Sequence, residues 1–376
     1  MVLLIGITTY GQLRPENNWD MVAYVAISRA SQADDITQLH RDVYAELEQS
    51  VSTADFEALT ASGDVLTSSE PFLVATASDA RAFAQQLPFY LVKPAYPLLI
   101  AGLATTGLNP FAASVLIASA AYAGFGLLAW SWLRRHHPPI IGTLLTALLV
   151  ISPPFMILAR LSTPDSLSLL VILASAYAIV SRRAGLALGL CLLAVLIRPN
   201  NAAWAVLLAL YLATAAPPAV RPRRWVPLLT IALVGVLYVG ITRWAGYYPL
   251  PTLFHHAIVE YLPYPAEFVP TWGLREYARQ YVHEFLAFQY GGALFFLFVG
   301  GVVLLGLRSA HGSAHDPLTG LVALAVLASA AQWAVYPIEP ERILAGQLAI
   351  IAIALAIIVG RPTQVPGFGS SYVTSV

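Results

Sequence analysis

Long apolar stretches alternate with short polar loops along most of the 376-residue chain. A helix needs about 20 apolar residues to cross the ~30 Å hydrocarbon core of a membrane. The pattern therefore predicts an all-α, polytopic membrane protein. Simple spans are predicted over residues 110–133, 140–159, 164–181, 225–243, 288–307, 317–336 and 343–360.

Three other apolar stretches do not read as simple spans. The N-terminal run MVLLIGITTYGQL is about half a crossing long and lacks the basic region and cleavage site of a signal peptide. Residues 88–107 indicate a helix that enters the membrane without fully crossing it. Residues 184–216 are interrupted by RPNN at 198–201, which favours a hairpin of short helices. The sequence thus predicts one transmembrane domain over 1–376, with about ten membrane segments.

The loops predict the orientation of the chain. RRHHPP (134–139), SRR (181–183), RPRR (221–224), LRSAHGSAHD (307–316) and GRP (360–362) together hold nine arginines and one acid. Short basic loops face the cytoplasm. The opposite, outer side then carries two polar loops. Residues 14–87 are expected to form one or two amphipathic helices, and residues 244–287 a membrane-hugging loop rich in Tyr, Trp and Pro.

The amino-acid composition argues against several classes of protein and of site. The chain is 58% hydrophobic and 11% charged, against about 25% charged residues in a soluble domain. A net charge of zero argues against a nucleic-acid partner. Cys191 is the single cysteine, which excludes an intramolecular disulfide and a cysteine metal site.

Asp20 is the first candidate for chemistry, in ENNWDMVAY directly after the first apolar run. A carboxylate at the outer end of a membrane helix suits a general base, and partial desolvation is expected to raise its pKa. The alternative is an N-cap for a helix that begins at Met21. Glu16 is a second candidate acid, with a solvated loop position as its alternative.

Asp165 and Arg198 lie at the outer ends of apolar segments. The run Thr163-Pro164-Asp165 is a strong helix-start signal by itself, with threonine as the N-cap. Arg198 interrupts a membrane segment, and a cation at bilayer depth is a candidate functional residue. Its alternatives are snorkelling to the interface or pairing with a neighbouring acid. Both residues are candidates for substrate binding on the same outer side.

Arg342 and Glu341 lie in YPIEPERILAGQ, a short outer turn before the last span. An arginine is disfavoured at a helix N-terminus unless an anion offsets its charge. Arg342 and Glu341 are therefore candidates for binding an anionic substrate. The alternative is an exposed ion pair of Arg342 with Glu339 or Glu341, which contributes little stability.

Lys93 is the only lysine in the chain and lies in PFYLVKPAYP. Phe89, Tyr90 and Tyr96 are expected to surround it as an aromatic collar at the interface. Anchoring by snorkelling explains Lys93 in isolation. A compact ammonium group also suits the binding of a phosphate.

His255 and His256 lie in the second outer loop, with Glu260 and His283. Their spacing matches no strong metal template. We treat the two adjacent histidines as candidates for lining a substrate cavity and leave any metal ligation open.

The order of these motifs resembles the GT-C superfamily of integral-membrane glycosyltransferases. That family includes protein O-mannosyltransferases and lipid A aminoarabinose transferases. The resemblance covers nearly the whole chain in style and order, without a long shared motif. It rests on the acid after the first helix, the long first outer loop and the runs FYLVKPAYPLLIAGL, STPDSLSLLVILAS, LIRPNNAAW and PERILAGQLAI.

The resemblance implies inverting sugar transfer from a polyprenyl-phosphate donor, on the outer face of a bacterial inner membrane. Asp20 would match the acid that deprotonates the acceptor hydroxyl. Lys93 would match a lysine near the donor phosphate, Arg342 a basic residue before the last helices, and Arg198 the arginine of a broken segment. The partners would be the lipid-linked sugar, membrane lipid and a glycan, lipid or protein acceptor.

Two departures from the family pattern limit this expectation. The run NNWDM holds one acid where many relatives have two, so a divalent cation stays an open cofactor. KPAYP also replaces the KPPLY-like pattern of the family. Two other functions remain open: a transporter or flippase for a lipid-linked sugar, and a non-catalytic membrane scaffold related to the GT-C proteins.

Overall fold

The protein is built from α-helices. A computed structural model describes residues 2–62, 70–270, 273–286, 301, 306, 317–335 and 340–359, and within these no strand forms beyond one isolated bridge between Glu16 and Leu161. The predicted span 288–307 lies outside the described residues except at positions 301 and 306. The first eight helices are α1 (Val2–Leu13), α2 (Trp19–Arg29), α3 (Ile36–Ser50), α4 (Thr53–Thr60), α5 (Glu70–Ser78), α6 (Ala80–Gln86), α7 (Pro88–Leu91) and α8 (Ala95–Ala104).

The remaining helices form most of the apolar bundle. They are α9 (Pro110–Leu133), α10 (Pro139–Ile151), α11 (Pro153–Met156), α12 (Asp165–Val180), α13 (Ala184–Ile197), α14 (Ala202–Thr214), α15 (Trp225–Trp244), α16 (Leu250–Phe254), α17 (Leu274–Leu286), α18 (Pro317–Val335), α19 (Pro340–Ile343) and α20 (Ala345–Val359). Single turns of 3₁₀-helix span 30–32, 157–159, 199–201 and 218–220, and a π-turn spans 255–259.

Among the described residues, three helices are long and apolar enough to cross a membrane, namely α9, α15 and α18. Two bent pairs raise the number to five if each pair is one span. The described chain therefore has the helices of an α-helical membrane protein. Shorter apolar helices, including α1, α12, α13 and α20, pack between these spans in one shared core.

Proline explains both bends. The predicted span 140–159 bends by 68° between α10 and the segment 153–159, at Ser152-Pro153. The segment 80–104 bends by 108° between α7 and α8, where Lys93-Pro94 lies. Proline has no N–H to donate and disfavours helix in the residue before it. The second bend leaves Lys93 between two short helices.

The interrupted segment 184–216 forms the predicted hairpin. Helices α13 and α14 pack against each other, and Arg198 has an extended backbone between them. Asn201 ties the tip together, because its side-chain amide donates to the Ala194 carbonyl and to the Ser168 hydroxyl, each at 2.9 Å. Arg198 thus lies at the tip of a hairpin braced against α12.

The bundle has two chemically different ends. Asp165 and Arg198 lie at the first, which we call the site end. The loops that hold Arg135 and Ser181 meet the start of α18 at the opposite, arginine end, where they line a common cavity. The basic loops 134–139, 181–183 and 221–224 lie at this end, while the predicted loops 307–316 and 360–362 lie outside the described residues.

The first outer loop folds into a small helical layer of its own. The described part of residues 14–87 forms five helices, α2 to α6. Their apolar side chains share a core around Trp19, Leu47 and Phe83. Helix α3 is amphipathic, with its buried residues on one face, whereas α2 is buried on nearly all sides.

Candidate functional site

Asp20 lies in the first turn of α2. Asn18 is the N-cap, since its side chain accepts a hydrogen bond from the Met21 amide at 3.2 Å. The interpretation of Asp20 as the cap is therefore wrong. Its carboxylate instead accepts from the Tyr90 hydroxyl at 2.9 Å and from Arg342 Nη2 at 3.1 Å.

Burial raises the pKa of Asp20, but nearby cations reverse the outcome. The charges of Arg342 and Lys93 and the hydrogen bond from Tyr90 together lower the pKa below its ordinary value. This result corrects the expectation of a raised pKa. In this state Asp20 is a carboxylate at neutral pH and a weaker base than desolvation alone would make it.

Asp165 is the first residue of α12, and its side chain is completely buried. One oxygen pairs with Arg198 Nη1, and the other accepts from Arg342 Nε at 3.0 Å and the Thr163 hydroxyl at 2.7 Å. Thr163 therefore binds Asp165 instead of acting as the N-cap, a position that Pro164 occupies. Pairing with a neighbouring acid was one of the alternatives for Arg198, and the structure shows such a pair, with an acid 33 residues away in sequence.

Arg342 joins the two carboxylates. Its Nη2 lies against Asp20 and its Nε against Asp165. It therefore links α2 of the outer layer to α12 of the bundle. Glu339 and the side chain of Glu341 lie outside the described residues, so the predicted role of Glu341 stays a prediction.

Lys93 lies in the bend between α7 and α8, among tyrosines. Its Nζ donates to the Tyr24 hydroxyl at 2.9 Å and lies 5.4 and 5.1 Å from the ring centroids of Tyr24 and Tyr90. Tyr96 is fully buried and donates to the Ser114 carbonyl. The expected interfacial collar is thus an internal aromatic cluster, and the ammonium group faces a cavity.

A cavity of about 950 Å³ lies beside these charges, within the size range of small-molecule sites. Asp20, Lys93, Arg198 and Arg342 line it, while Asp165 lies behind the arginines. Arg243 lines it as well, so four cations and two carboxylates give the group a net charge of +2. Much of the remaining lining, which we call the aromatic wall, is aromatic: Phe89, Tyr90, Tyr238, Tyr247, Tyr248, His256 and Tyr261.

The side chains of the adjacent residues His255 and His256 lie in different surroundings. His256 lines the cavity, stacks on Phe89 at 4.5 Å and accepts a hydrogen bond from the Leu262 amide at 3.0 Å. Burial lowers the pKa of His256 to about 4, so its ring is neutral at pH 7. The His255 ring lies 4.3 Å from Phe268 and does not line the cavity.

No group of three or more His, Cys, Asp or Glu side chains that could hold a metal ion occurs in the described part of the chain. Asp20 and Asp165, the acids nearest the cavity, both bind arginine. The divalent cation left open by the sequence therefore has no ready ligand set among these residues.

Sequence reasoning expected Tyr90 beside Lys93, but it missed Tyr90 as a partner of Asp20, Tyr24 as a partner of Lys93 and Thr163 as a partner of Asp165. Tyr24 follows Asp20 by one helical turn of α2, which puts the two residues on one helix face and was the available signal.

Comparisons with protein-family models, curated proteins and solved structures give no match. The function is therefore argued from the site alone.

Proposed function

We propose that the protein is an inverting glycosyltransferase that uses a polyprenyl-phosphate sugar on the outer side of the membrane. One observation carries the proposal. Asp20, Lys93, Arg198 and Arg342 come from distant parts of the chain and line a single cavity at one end of the bundle. This arrangement supports chemistry on an anionic substrate at one membrane face.

The donor phosphate would occupy the cationic part of the cavity. Asp165 is fully buried and holds Arg198 and Arg342 from behind, so the two guanidinium groups are fixed before a ligand binds. As the bond from the sugar to phosphate breaks, negative charge grows on the phosphate oxygens. Cations already in place stabilise that charge without reorganisation.

The acceptor hydroxyl would lose its proton to Asp20. Its oxygen forms the new bond to the anomeric carbon, while the bonding electron pair of the old bond leaves with the lipid phosphate. While Arg342 is paired with Asp20, it lowers the pKa of Asp20 and makes the carboxylate a weaker base. A donor phosphate would compete for Arg342, and the loss of that pairing would raise the pKa of Asp20 when the donor is bound.

The aromatic wall fits the rest of a lipid-linked sugar. Tyr238 and Tyr247 offer flat apolar faces with hydroxyl groups, a combination that suits a sugar ring or the first prenyl units. Tyr238 belongs to α15, whose surface is largely exposed and apolar. This side of the cavity is where a lipid chain would leave it.

The alternative of a lipid-linked sugar transporter requires polar groups along a path through the membrane. In α9, α12 to α15, α18 and α20 as described, charged residues occur only at helix ends. This distribution supports chemistry at one face over transport. A non-catalytic scaffold would not require Asp20, Lys93, Arg198 and Arg342 to line one cavity. Their shared cavity therefore favours an enzyme over a scaffold.

Sugar transfer or release from a panel of radiolabelled polyprenyl-phosphate sugars tests the proposal. Wild-type protein is expected to turn over at least one donor. We expect Asp20→Asn to reduce the rate by about 10²–10⁴-fold, the usual contribution of a general base, while donor binding persists. Glu16→Gln is the matched control, because Glu16 does not line the cavity. Its carboxylate lies 3.7 Å from Arg160 Nη1.

Binding measurements on the same variants complete the test. Lys93→Ala is expected to weaken donor binding while the protein stays folded. Equal turnover in wild type and Asp20→Asn would contradict the assignment of the base. Absence of both binding and turnover over the whole donor panel would reject the proposed function.

A further inference from the structure

The hydroxyl of Tyr90 donates to the proposed base, although the mechanism above gives Tyr90 no role. Tyr90 belongs to α7 and lines the cavity together with Asp20. Its hydroxyl donates to Asp20 Oδ1 at 2.9 Å, while Arg342 Nη2 lies 3.1 Å from the other carboxylate oxygen, Oδ2. Each oxygen of the carboxylate is therefore held by a different helix of the fold.

The ring of Tyr90 is held in place by residues next to Asp20 on α2. Trp19 directly precedes Asp20, and the centroids of the Trp19 and Tyr90 rings are 5.7 Å apart. Tyr24, one helical turn after Asp20, meets the Tyr90 ring edge-on at 5.2 Å. Lys93 Nζ lies 5.1 Å from the centroid of the same ring. These contacts fix the ring without using its hydroxyl, which is thus positioned beside the carboxylate.

A general base must lie within hydrogen-bond reach of the proton that it removes, so its orientation matters. In the free protein Arg342 and Tyr90 together orient the carboxylate of Asp20. A donor phosphate that attracts Arg342 would remove one of these two contacts. Tyr90 would then be the remaining side-chain donor to Asp20 in the described part of the structure. It holds Oδ1, which leaves Oδ2 to the acceptor hydroxyl.

We infer that Tyr90 is a positioning residue, whose hydroxyl keeps the Asp20 carboxylate oriented towards the acceptor after Arg342 has turned to the donor phosphate. The inference rests on the proposed function for the identity of donor and acceptor. The contact between Tyr90 and Asp20 can nevertheless be tested without turnover. Tyr90 exchanges no proton with the substrate and acts only through Asp20.

Tyr90→Phe removes the hydroxyl and keeps the ring. In the assay with radiolabelled donors, we expect kcat to fall by about ten- to a hundredfold, as for a misplaced reacting group, while KM for the donor stays unchanged. In an Asp20→Asn background, Tyr90→Phe should cause no further loss of turnover. Tyr122→Phe is the matched control, because the buried Tyr122 hydroxyl donates to the Val150 carbonyl and Tyr122 does not line the cavity.

The acidic limb of the pH–kcat profile is a readout that a general loss of stability would not shift. The hydrogen bond from Tyr90 lowers the pKa of Asp20, so its removal should move this limb to higher pH. A higher pKa alone would make Asp20 a stronger base, so a lower kcat on the plateau reports the lost orientation. The other titratable groups around Asp20 are unchanged in Tyr90→Phe: Arg342, Lys93, Tyr24 and His256.

Melting temperatures at pH 7 test the contact independently of turnover. Tyr90→Phe should destabilise the wild-type protein. In an Asp20→Ala background it should be neutral or stabilising, because the hydroxyl has already lost its acceptor. Tyr122→Phe should have the same effect in both backgrounds, since distant sites contribute additively.

The outcomes separate this inference from the proposed function. Wild type that turns over no donor would reject the proposed function, and the melting temperatures would still decide whether Tyr90 orients Asp20. Equal destabilisation by Tyr90→Phe in the wild-type and Asp20→Ala backgrounds would overturn the inference. An active Tyr90→Phe protein with an unchanged kcat and an unchanged acidic limb would overturn it as well.

Discussion

Asp165 is the residue on which the arrangement of the site depends. A fully buried carboxylate is unfavourable unless several donors satisfy it, and here Thr163, Arg198 and Arg342 do so. The same contacts keep two long arginine side chains in one geometry. Asp165 therefore acts as a positioning residue, whereas Asp20 lines the cavity and is available to a substrate.

The pH dependence of the Asp20–Arg342 pair gives a prediction at this scale. The folded pKa of Asp20 lies below its ordinary value of 3.8. A lowered carboxylate pKa adds stability that is present above the unfolded pKa and is lost as pH falls through the folded pKa. The difference in melting temperature between wild type and Asp20→Asn should therefore stay constant from about pH 5 to 7 and shrink below about pH 4.

Thermal unfolding of both proteins in detergent, followed by tryptophan fluorescence over this pH range, measures that difference. A difference that changes between pH 5 and 7 would contradict the ion pair in the free protein. It would instead indicate a raised Asp20 pKa, as expected from desolvation alone.

The sequence predicted the charged residues of the site but not their partners. Asp20, Lys93, Arg198 and Arg342 stand out because charges are rare in this chain. Their pairing could not be predicted, since Arg342 lies 322 residues from Asp20 and 177 from Asp165. Tyr24 and the contact of Tyr90 with Asp20 were missed because tyrosines next to apolar runs are common at membrane interfaces.

At the scale of the helices, the close contact of α1 with the segment before α12 helps to position Asp165. Gly11 of α1 lies directly against the backbone of Ala159, in the segment that leads to Thr163 and Asp165. A side chain at this position would overlap the Ala159 carbonyl oxygen. Glycine thus permits α1 to dock beside the start of α12.

Gly11→Ala should therefore destabilise the protein, by about 1–3 kcal/mol if the backbone has to shift. Gly6→Ala in the same helix is the control, because no atom lies within 4 Å of its added Cβ. It should be neutral or stabilising, since alanine favours helix over glycine by about 1 kcal/mol. Melting temperatures of the two variants test this contrast, and equal effects would contradict the docking of α1.

Helices with a simple pattern were predicted well, and those shaped by tertiary contacts were not. The predicted span 110–133 matches α9, and 164–181 differs from α12 by one residue at each end. The 68° bend within 140–159 was missed, because the hydropathy of that segment does not change at Ser152-Pro153. In the outer layer the amphipathic α3 fits the predicted pattern, whereas α2 shows no such pattern because it is buried on nearly all sides.

For the molecule as a whole, the separation of charge predicts its orientation. The loops with Arg134, Arg182 and Arg223 should face the cytoplasm and the small helical layer should face outward. Cysteine labelling can test this directly, because Cys191 is the only cysteine in the sequence and is fully buried.

In a Cys191→Ala background, Gln49→Cys and Ala219→Cys place thiols at exposed positions of the outer layer and of the arginine end. A membrane-impermeant maleimide should label the Gln49→Cys protein in intact cells. It should label the Ala219→Cys protein only after the membrane is disrupted. The reverse pattern would place the proposed site on the cytoplasmic face.

The bridge formed by Arg342 has a consequence for how the protein is made. A ribosome adds roughly 5–20 residues per second, so Arg342 emerges on the order of ten to tens of seconds after Asp165, which is 177 residues earlier. Throughout that interval the two carboxylates lack the cation that joins them in the finished fold. Until then Asp165 is held by Arg198 and Thr163, and Asp20 by Tyr90. A nascent chain halted before Arg342 would therefore contain both halves of the site without the one side chain that joins them, and the link from α2 to α12 through Arg342 forms only near the end of translation.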